Sequence, residues 1–115
     1  MKLEKGDNAR LKHILDAIKD IETFTKGITY QEYNSNYMMR LALVKLFEII
    51  GEASARMSDP LKNKFNEIEW QILKAVRNIL IHEYFGIDYQ TIWDSIQKDI
   101  PVLKIKIEEI INRSN

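Results

Sequence analysis

Apolar residues recur at the spacing of an α-helix in almost every segment of this 115-residue chain, and the alternation typical of β-strands is nearly absent. The first such segment keeps the i, i+3, i+4, i+7 pattern at Leu11, Ile14, Leu15, Ile18 and Ile21. Gly27 follows at a position typical of a helix end. The pattern predicts an all-α fold, with residues 1–115 forming one domain.

The next elements follow from capping residues and apolar runs. Segment 29–36 is polar and aromatic-rich, and we expect it to connect two helices. Segment 37–57 is apolar around most of its circumference, which favours a central helix packed on several neighbours. The Ser-Asp-Pro sequence at 58–60 predicts a helix start and a short helix through Phe65.

Two longer helices complete the predicted architecture. The first covers about residues 68–84 and ends before Gly86. Asp88 caps the second, and Pro101 within it predicts a kink or a break. The connections are short, so we expect an antiparallel bundle of four main helices with one short extra helix.

Charge and cysteine content exclude several classes of protein. The 17 basic and 17 acidic residues balance, which argues against a general nucleic-acid coat but leaves room for a local basic cleft. The chain has no cysteine, hence no disulfide, thiolate nucleophile or Cys-ligated zinc. Its two histidines lie far apart, and the carboxylates lack ligand spacing, so we expect no metal and no cofactor. No apolar run approaches membrane-spanning length, and we expect a cytoplasmic protein.

One face of the helix predicted at 68–84 concentrates polar chemistry. Arg77 and Tyr84 are seven residues apart and therefore nearly eclipsed, with Lys74 beside them. Asn78 and His82 form an i,i+4 pair that flanks this stripe. The helix thus presents a cation, an imidazole and a phenol opposite its apolar face.

These residue types suit metal-independent cleavage of RNA. The reaction needs a base for the 2′-hydroxyl, an acid for the 5′ leaving oxygen and a cation for the charged phosphorane. Imidazole is the side chain suited to either proton transfer near neutral pH, which makes His82 the candidate. Arg77 suits a bidentate phosphate clamp. Asn78 and Lys74 are candidate supporting groups, and Tyr84 is a candidate to position the phosphate or stack on a base.

A dimer would supply the second proton-transfer group. One chain carries one such histidine, whereas acid–base cleavage needs two groups. Ile81 and Phe85 lie within the polar arc of the same helix, where apolar side chains suit an interface better than water. We therefore expect a homodimer whose two copies meet across this face.

The order Arg-x4-His-x-Tyr, with Asn after the Arg, resembles the signature of the HEPN superfamily, and most closely its HepT-like toxins. The likeness extends to a Gly-Glu-Ala segment at 51–53, to Trp70 upstream of the motif, and to Trp93 and Asp-Ile-Pro at 99–101 downstream. Glu69 stands where the family often has proline, and Ala-Val at 75–76 replaces Gly-Met. Both differences leave the motif intact.

The resemblance implies a function, a partner and a modification. It implies a metal-independent ribonuclease toxin with Arg77 and His82 at the core of a composite homodimer site. It also implies a toxin–antitoxin system of the HepT/MntA type, classed as type II or VII. The antitoxin would be an MntA-like nucleotidyltransferase that attaches adenylate to Tyr84. The alternative is a non-catalytic HEPN module that binds a nucleotide or a protein partner in the same cleft.

Other conspicuous residues have ordinary interpretations. His13 fits a surface or core-edge position, and Trp70 and Trp93 fit core anchors.

Three further charged residues also have ordinary interpretations. Glu52 is expected either to be exposed or to pair with a cation, for which Arg77 is available. Lys62 and Lys64 suit a solvated helix better than an extended basic patch.

Overall fold

The structure, a computed structural model, describes residues 3–65 and 88–114. Within these ranges there are five helices and no strand: α1 (Asp7–Thr25), α2 (Tyr30–Ser35), α3 (Tyr37–Ala55), α4 (Asp59–Lys64) and α5 (Tyr89–Ser114). The predicted all-α class is confirmed. The helix predicted at 68–84 and its end at Gly86 lie outside the described residues.

Glycines flank α1 at both ends, and both adopt the left-handed backbone region that other residues disfavour. Gly6 precedes the helix with φ of 94°, and Gly27 follows it with φ of 73°. Gly27 is the second residue after Thr25, where a left-handed glycine commonly ends a helix. The prediction that Gly27 terminates the first helix is confirmed.

Segment 29–36 contains the short helix α2, where the sequence predicted a connector. Thr29 Oγ1 accepts a hydrogen bond from the Glu32 amide at 3.1 Å, and Glu32 Oε1 accepts one from the Thr29 amide at 2.9 Å. This reciprocal capping satisfies two amides near the helix start. The polar residues here therefore cap a helix, which also buries the ring of Tyr33.

The predicted second and short helices are both confirmed. Helix α3 buries a wide arc of its surface, as expected for a central helix. Its buried residues are Leu43, Val44, Leu46, Phe47, Ile50, Gly51, Ala53 and Ser54. Ser58 then caps α4, its Oγ accepting from the Leu61 amide at 3.4 Å, and Pro60 occupies the first turn.

Helix α5 begins at the predicted cap and runs past its proline. Asp88 Oδ1 accepts from the Thr91 amide at 3.1 Å, and Oδ2 accepts from Thr91 Oγ1 at 2.7 Å. The helix continues unbroken through Pro101, so the predicted break does not occur. Proline has no N–H, so Pro101 cannot donate a hydrogen bond to the carbonyl of Gln97. Both residues are exposed, and water can therefore solvate that carbonyl.

The core of the described residues lies between α1, α3 and α5. Helix α1 contributes a single stripe through Leu11, Ile14, Ile18 and Ile21, all fully buried. Helix α5 contributes a stripe with the same three- and four-residue spacing: Ile92, Ile96, Ile100, Leu103, Ile107 and Ile110. Helices α1 and α3 run antiparallel, since the start of α1 lies beside the end of α3.

Candidate functional site

The predicted site residues belong to segment 66–87, outside the described residues. They are Lys74, Arg77, Asn78, His82 and Tyr84. The predicted interface residues Ile81 and Phe85 and the predicted core anchor Trp70 belong to the same segment. Their roles stay predictions.

Both points where segment 66–87 joins the described helices are held by contacts. Before the segment, Phe65 is 1% exposed, and the guanidinium of Arg113 lies 5.8 Å from its ring centroid. After the segment, the carbonyl of Tyr89 accepts a hydrogen bond from Tyr33 Oη at 2.7 Å. Helix α2, which the sequence did not predict, therefore fixes the start of α5.

Aromatic rings surround that hydrogen bond. The Trp93 ring centroid lies 4.9 Å from that of Tyr33 and 5.8 Å from that of Tyr30. Trp93 is half-buried and packs against the core, so its predicted role as a core anchor is confirmed. Burial raises the pKa of Tyr33 well above its ordinary value, although the positive charge of Arg40 acts in the opposite direction.

A buried carboxylate ties the start of α1 to the start of α4. Asp7 is 1% exposed, and its Oδ1 accepts from the Ser58 amide at 3.0 Å. Its Oδ2 accepts from Ser58 Oγ. Because α4 leads directly into segment 66–87, this contact orients the chain where that segment begins. Sequence reasoning missed Asp7, since its partner is 51 positions away and neither residue signals the other.

A groove with charged edges lies between the first half of α1 and the second half of α3. Its volume is about 370 Å³. Small residues form part of its wall: Gly6, Ala9 and Ala53. Charged or titratable side chains form the rest, apart from Ile49: Arg10, His13, Lys45, Glu48, Glu52 and Arg56. Residues of both helices line the groove, so the sequence pattern of either helix alone does not predict it.

His13 and Glu52 both line this groove. His13 is exposed, as expected for a surface position. Glu52 is half exposed, and its Oε2 lies 3.9 Å from Arg56 Nη2, a cation that the sequence reading did not consider. Its predicted pairing with Arg77 involves a residue outside the described ranges.

Lys62 and Lys64 lie in the last turn of α4. Lys62 Nζ donates to the carbonyl of Ala55 at 3.4 Å, and Lys64 is exposed. Both positions suit the solvated helix surface that the sequence favoured, and cations near a helix C-terminus also complement its dipole.

The described ranges hold neither a cluster of metal ligands nor a helix suited to spanning a membrane. Residues 3–65 and 88–114 contain no group of three or more His, Cys, Asp or Glu side chains able to hold a metal ion. None of the helices described in those ranges is long and apolar enough to cross a membrane.

Comparison with known proteins decides the family. The model of the family described as "Ribonuclease HepT-like" matches residues 14–110. This chain belongs to the HepT-like ribonuclease family. No solved structure matches it.

Archaeal and bacterial relatives match over most of their length. "Putative RNase MJ1380" of Methanocaldococcus jannaschii is 42% identical over 100 residues, covering 87% of this chain and 92% of the relative. "Probable ribonuclease HepT" of Thermococcus cleftensis is 37% identical over 108 residues, covering 94% and 98%. "Putative RNase TTE0752" of Caldanaerobacter subterraneus subsp. tengcongensis is 34% identical over 103 residues, covering 90% and 92%. The family likeness noted in the sequence is confirmed, and with it the enzyme class, ribonuclease.

Proposed function

We propose that this protein is a metal-independent endoribonuclease, the toxin of a toxin–antitoxin pair, acting in the cytoplasm on RNA bound in a cleft between two copies of the chain. The observation that carries the proposal is the family match over residues 14–110, which spans the whole Arg77–Tyr84 motif. A ribonuclease family and a motif suited to phosphodiester cleavage support the same reaction.

The proposed reaction is an internal transesterification. His82 of one copy takes the proton of the 2′-hydroxyl, and that oxygen attacks the adjacent phosphorus. The bond between phosphorus and the 5′ oxygen breaks, and the partner's His82 protonates the leaving oxygen. Arg77 balances the charge of the phosphorane, and the products are a 2′,3′-cyclic phosphate and a 5′-hydroxyl.

The supporting residues act on the same phosphate. Asn78 orients His82 or a phosphate oxygen from the preceding turn, and Lys74 adds positive charge along the stripe. Two copies of Arg77 and Lys74 make the cleft positive although the chain has no net charge.

The proposal is tested by incubating the purified protein with transfer RNA in excess chelator. We expect fragments that end in 2′,3′-cyclic phosphate from the wild type and none from His82→Ala. The matched variant His82→Gln should keep RNA binding, measured by calorimetry, while losing cleavage. Equal cleavage by His82→Ala, or dependence on added metal, would contradict the mechanism.

The same experiment separates the enzyme from the alternative, a binding module without turnover. Such a module would bind mononucleotides or a protein partner in a manner abolished by Arg77→Ala, and would degrade no RNA at any protein concentration.

The proposed antitoxin is an MntA-like nucleotidyltransferase that transfers adenylate to Tyr84. In that step the Tyr84 hydroxyl attacks the α-phosphorus of ATP, pyrophosphate leaves, and the hydroxyl proton goes to solvent or a base of the transferase. The added phosphate would oppose RNA binding by its charge and bulk.

We expect Tyr84→Phe to remain active in the presence of the transferase and ATP, whereas the wild type loses activity. Intact-protein mass spectrometry should show the adenylate on the wild type alone. Silencing of Tyr84→Phe with adenylate on another residue would exclude this assignment.

A further inference from the structure

We infer that the groove between α1 and α3 binds a nucleotide of single-stranded RNA outside the scissile bond, with Arg10, Lys45 and Arg56 contacting its phosphates. The inference rests on the proposed ribonuclease function and extends it. It assigns a second, substrate-holding surface to α1 and α3, which lie outside the segment that carries the motif.

The size and lining of the groove suit one nucleotide. Its volume of about 370 Å³ lies at the lower end of the range of small-ligand sites. Ala9, Ile49 and Ala53 give it apolar wall against which a base or ribose can pack. Gly6 leaves room for the Arg10 side chain, because a Cβ at that position would lie 2.9 Å from Arg10 Nη1. The absence of a side chain at Gly6 therefore lets the Arg10 guanidinium lie over the start of α1.

The lining carries three cations, Arg10, Lys45 and Arg56, beside two carboxylates, Glu48 and Glu52. The buried Asp7, which does not line the groove, lies 3.9 Å from Arg10 Nη1 and offsets part of its charge. Each cation brings charged N–H donors, which are the groups that contact phosphodiester oxygens. The carboxylates add hydrogen-bond acceptors for the amino groups of cytosine or guanine, which a site for inorganic phosphate would not need.

The cations keep access to solvent despite their ion pairs. Lys45 Nζ lies 3.8 Å from Glu48 Oε2, and Arg56 Nη2 lies 3.9 Å from Glu52 Oε2, both longer than hydrogen bonds. The side chains of Lys45 and Arg56 are 69% and 71% exposed. Both can therefore turn toward a ligand without first losing a hydrogen bond to these carboxylates.

Arg10 is the least exposed of the three groove cations. Its side chain is 33% exposed, and Nη1 lies 3.9 Å from Asp7 Oδ1, again beyond hydrogen-bond distance. The oxygens of Asp7 already accept from Ser58, so this carboxylate attracts Arg10 without taking its donors. The planar guanidinium is thus held at the groove with N–H groups suited to a phosphate.

The test compares two double variants with equal loss of charge. Lys45→Gln/Arg56→Gln removes two groove cations, and Lys19→Gln/Lys98→Gln removes two exposed cations of α1 and α5 that do not line the groove. Each protein is titrated by fluorescence anisotropy with a 2′-O-methyl RNA 12-mer, which lacks the attacking hydroxyl, at several salt concentrations. Circular dichroism and thermal melting check that both variants fold.

We expect the groove variant to bind roughly tenfold or more weakly at 0.1 M salt, and its slope of log K against log salt to fall by about 1.4, since each phosphate contact on a single strand contributes about 0.7. The control variant should keep the wild-type slope. In cleavage assays the groove variant should raise KM for long RNA while leaving kcat and the cleavage of a dinucleotide unchanged.

Equal slopes for the groove and control variants would overturn the inference even if the wild type cleaves RNA. Loss of binding to a protein partner with unchanged RNA binding would assign the groove to that partner and would also overturn it. If the wild type binds RNA through the groove but cleaves none, the groove stands and the proposed enzymatic function fails.

Discussion

The phenol of Tyr33 joins two helices that lie far apart in the sequence. It belongs to the short helix α2, its ring is fully buried, and its hydroxyl donates to the carbonyl of Tyr89 at the start of α5. Removing the hydroxyl leaves that carbonyl without this donor.

We expect Tyr33→Phe to lower the free energy of unfolding by about 1–2 kcal/mol near neutral pH. Tyr37→Phe is the matched control, because Tyr37 is 60% exposed, and it should change stability by less than about 0.5 kcal/mol. Urea unfolding followed by circular dichroism measures both. A Tyr33→Phe protein as stable as the control would contradict the assigned role of the hydrogen bond.

The raised pKa of Tyr33 predicts how the stability of the protein changes at alkaline pH. Above the ordinary tyrosine pKa of 10.0, the unfolded chain releases this proton while the folded protein keeps it. The folded state then binds more protons, so its stability falls as pH rises through this range. The stability difference between wild type and Tyr33→Phe should therefore shrink above about pH 10. A constant difference across that range would exclude this coupling.

At the scale of elements, capping residues determine where helices begin. Asp88 is the clearest case, because both of its carboxylate oxygens accept hydrogen bonds from Thr91. The hydrogen bonds from the Thr91 side chain and amide hold the pKa of Asp88 below its ordinary value of 3.8. The charged form is therefore the one that caps α5.

We expect Asp88→Ala to cost about 1 kcal/mol of stability near neutral pH, and Asp88→Asn to cost less because its amide oxygen still caps. Because the pKa of Asp88 is lower in the folded state than in the unfolded state, its charged carboxylate stabilises the protein at pH values above the unfolded-state pKa. This stabilisation is lost as pH falls through the folded-state pKa. As pH falls below the ordinary Asp88 pKa of 3.8, the wild type should thus progressively lose its advantage over Asp88→Asn. Urea titrations near pH 6 and pH 2.5 check this, and an advantage that persists in acid would refute it.

The helices of this chain could be read from its sequence where local signals define them. Gly27, Ser58 and Asp88 each mark a boundary that the structure confirms. Helix α2 was missed although Thr29 and Glu32 carry the spacing of a capping box, because six residues are too few to show a periodic pattern. Pro101 predicted a kink or a break, and the break does not occur because α5 packs on the core on both sides of the proline.

At the scale of the whole molecule, the expected dimer rests on residues that the sequence alone singles out. Ile81 and Phe85 are apolar side chains on a predicted polar arc, which is the basis for the expected dimer. The sequence predicts the site motif because Arg77, His82 and Tyr84 fall at helical spacing within one short segment. The sequence does not predict the groove between α1 and α3, because its cations come from helices that only folding brings together.

We expect Phe85→Glu to convert a dimer into a monomer and to abolish nuclease activity while the protein stays helical. Like charges across a desolvated two-fold contact should cost several kcal/mol. Phe24→Glu makes the same change at a side chain of α1 that is 43% exposed and should leave the dimer intact. Sedimentation velocity at micromolar concentration measures both, and a fully active monomer would show that the composite site is mistaken.

The anchoring of segment 66–87 at its two ends has a consequence for protein engineering. Phe65 is held in the core on one side, and Tyr33 holds the Tyr89 carbonyl on the other. Those attachments belong to the described helices. Grafting the corresponding 22 or so residues of another family member between them would test whether RNA preference resides in this segment.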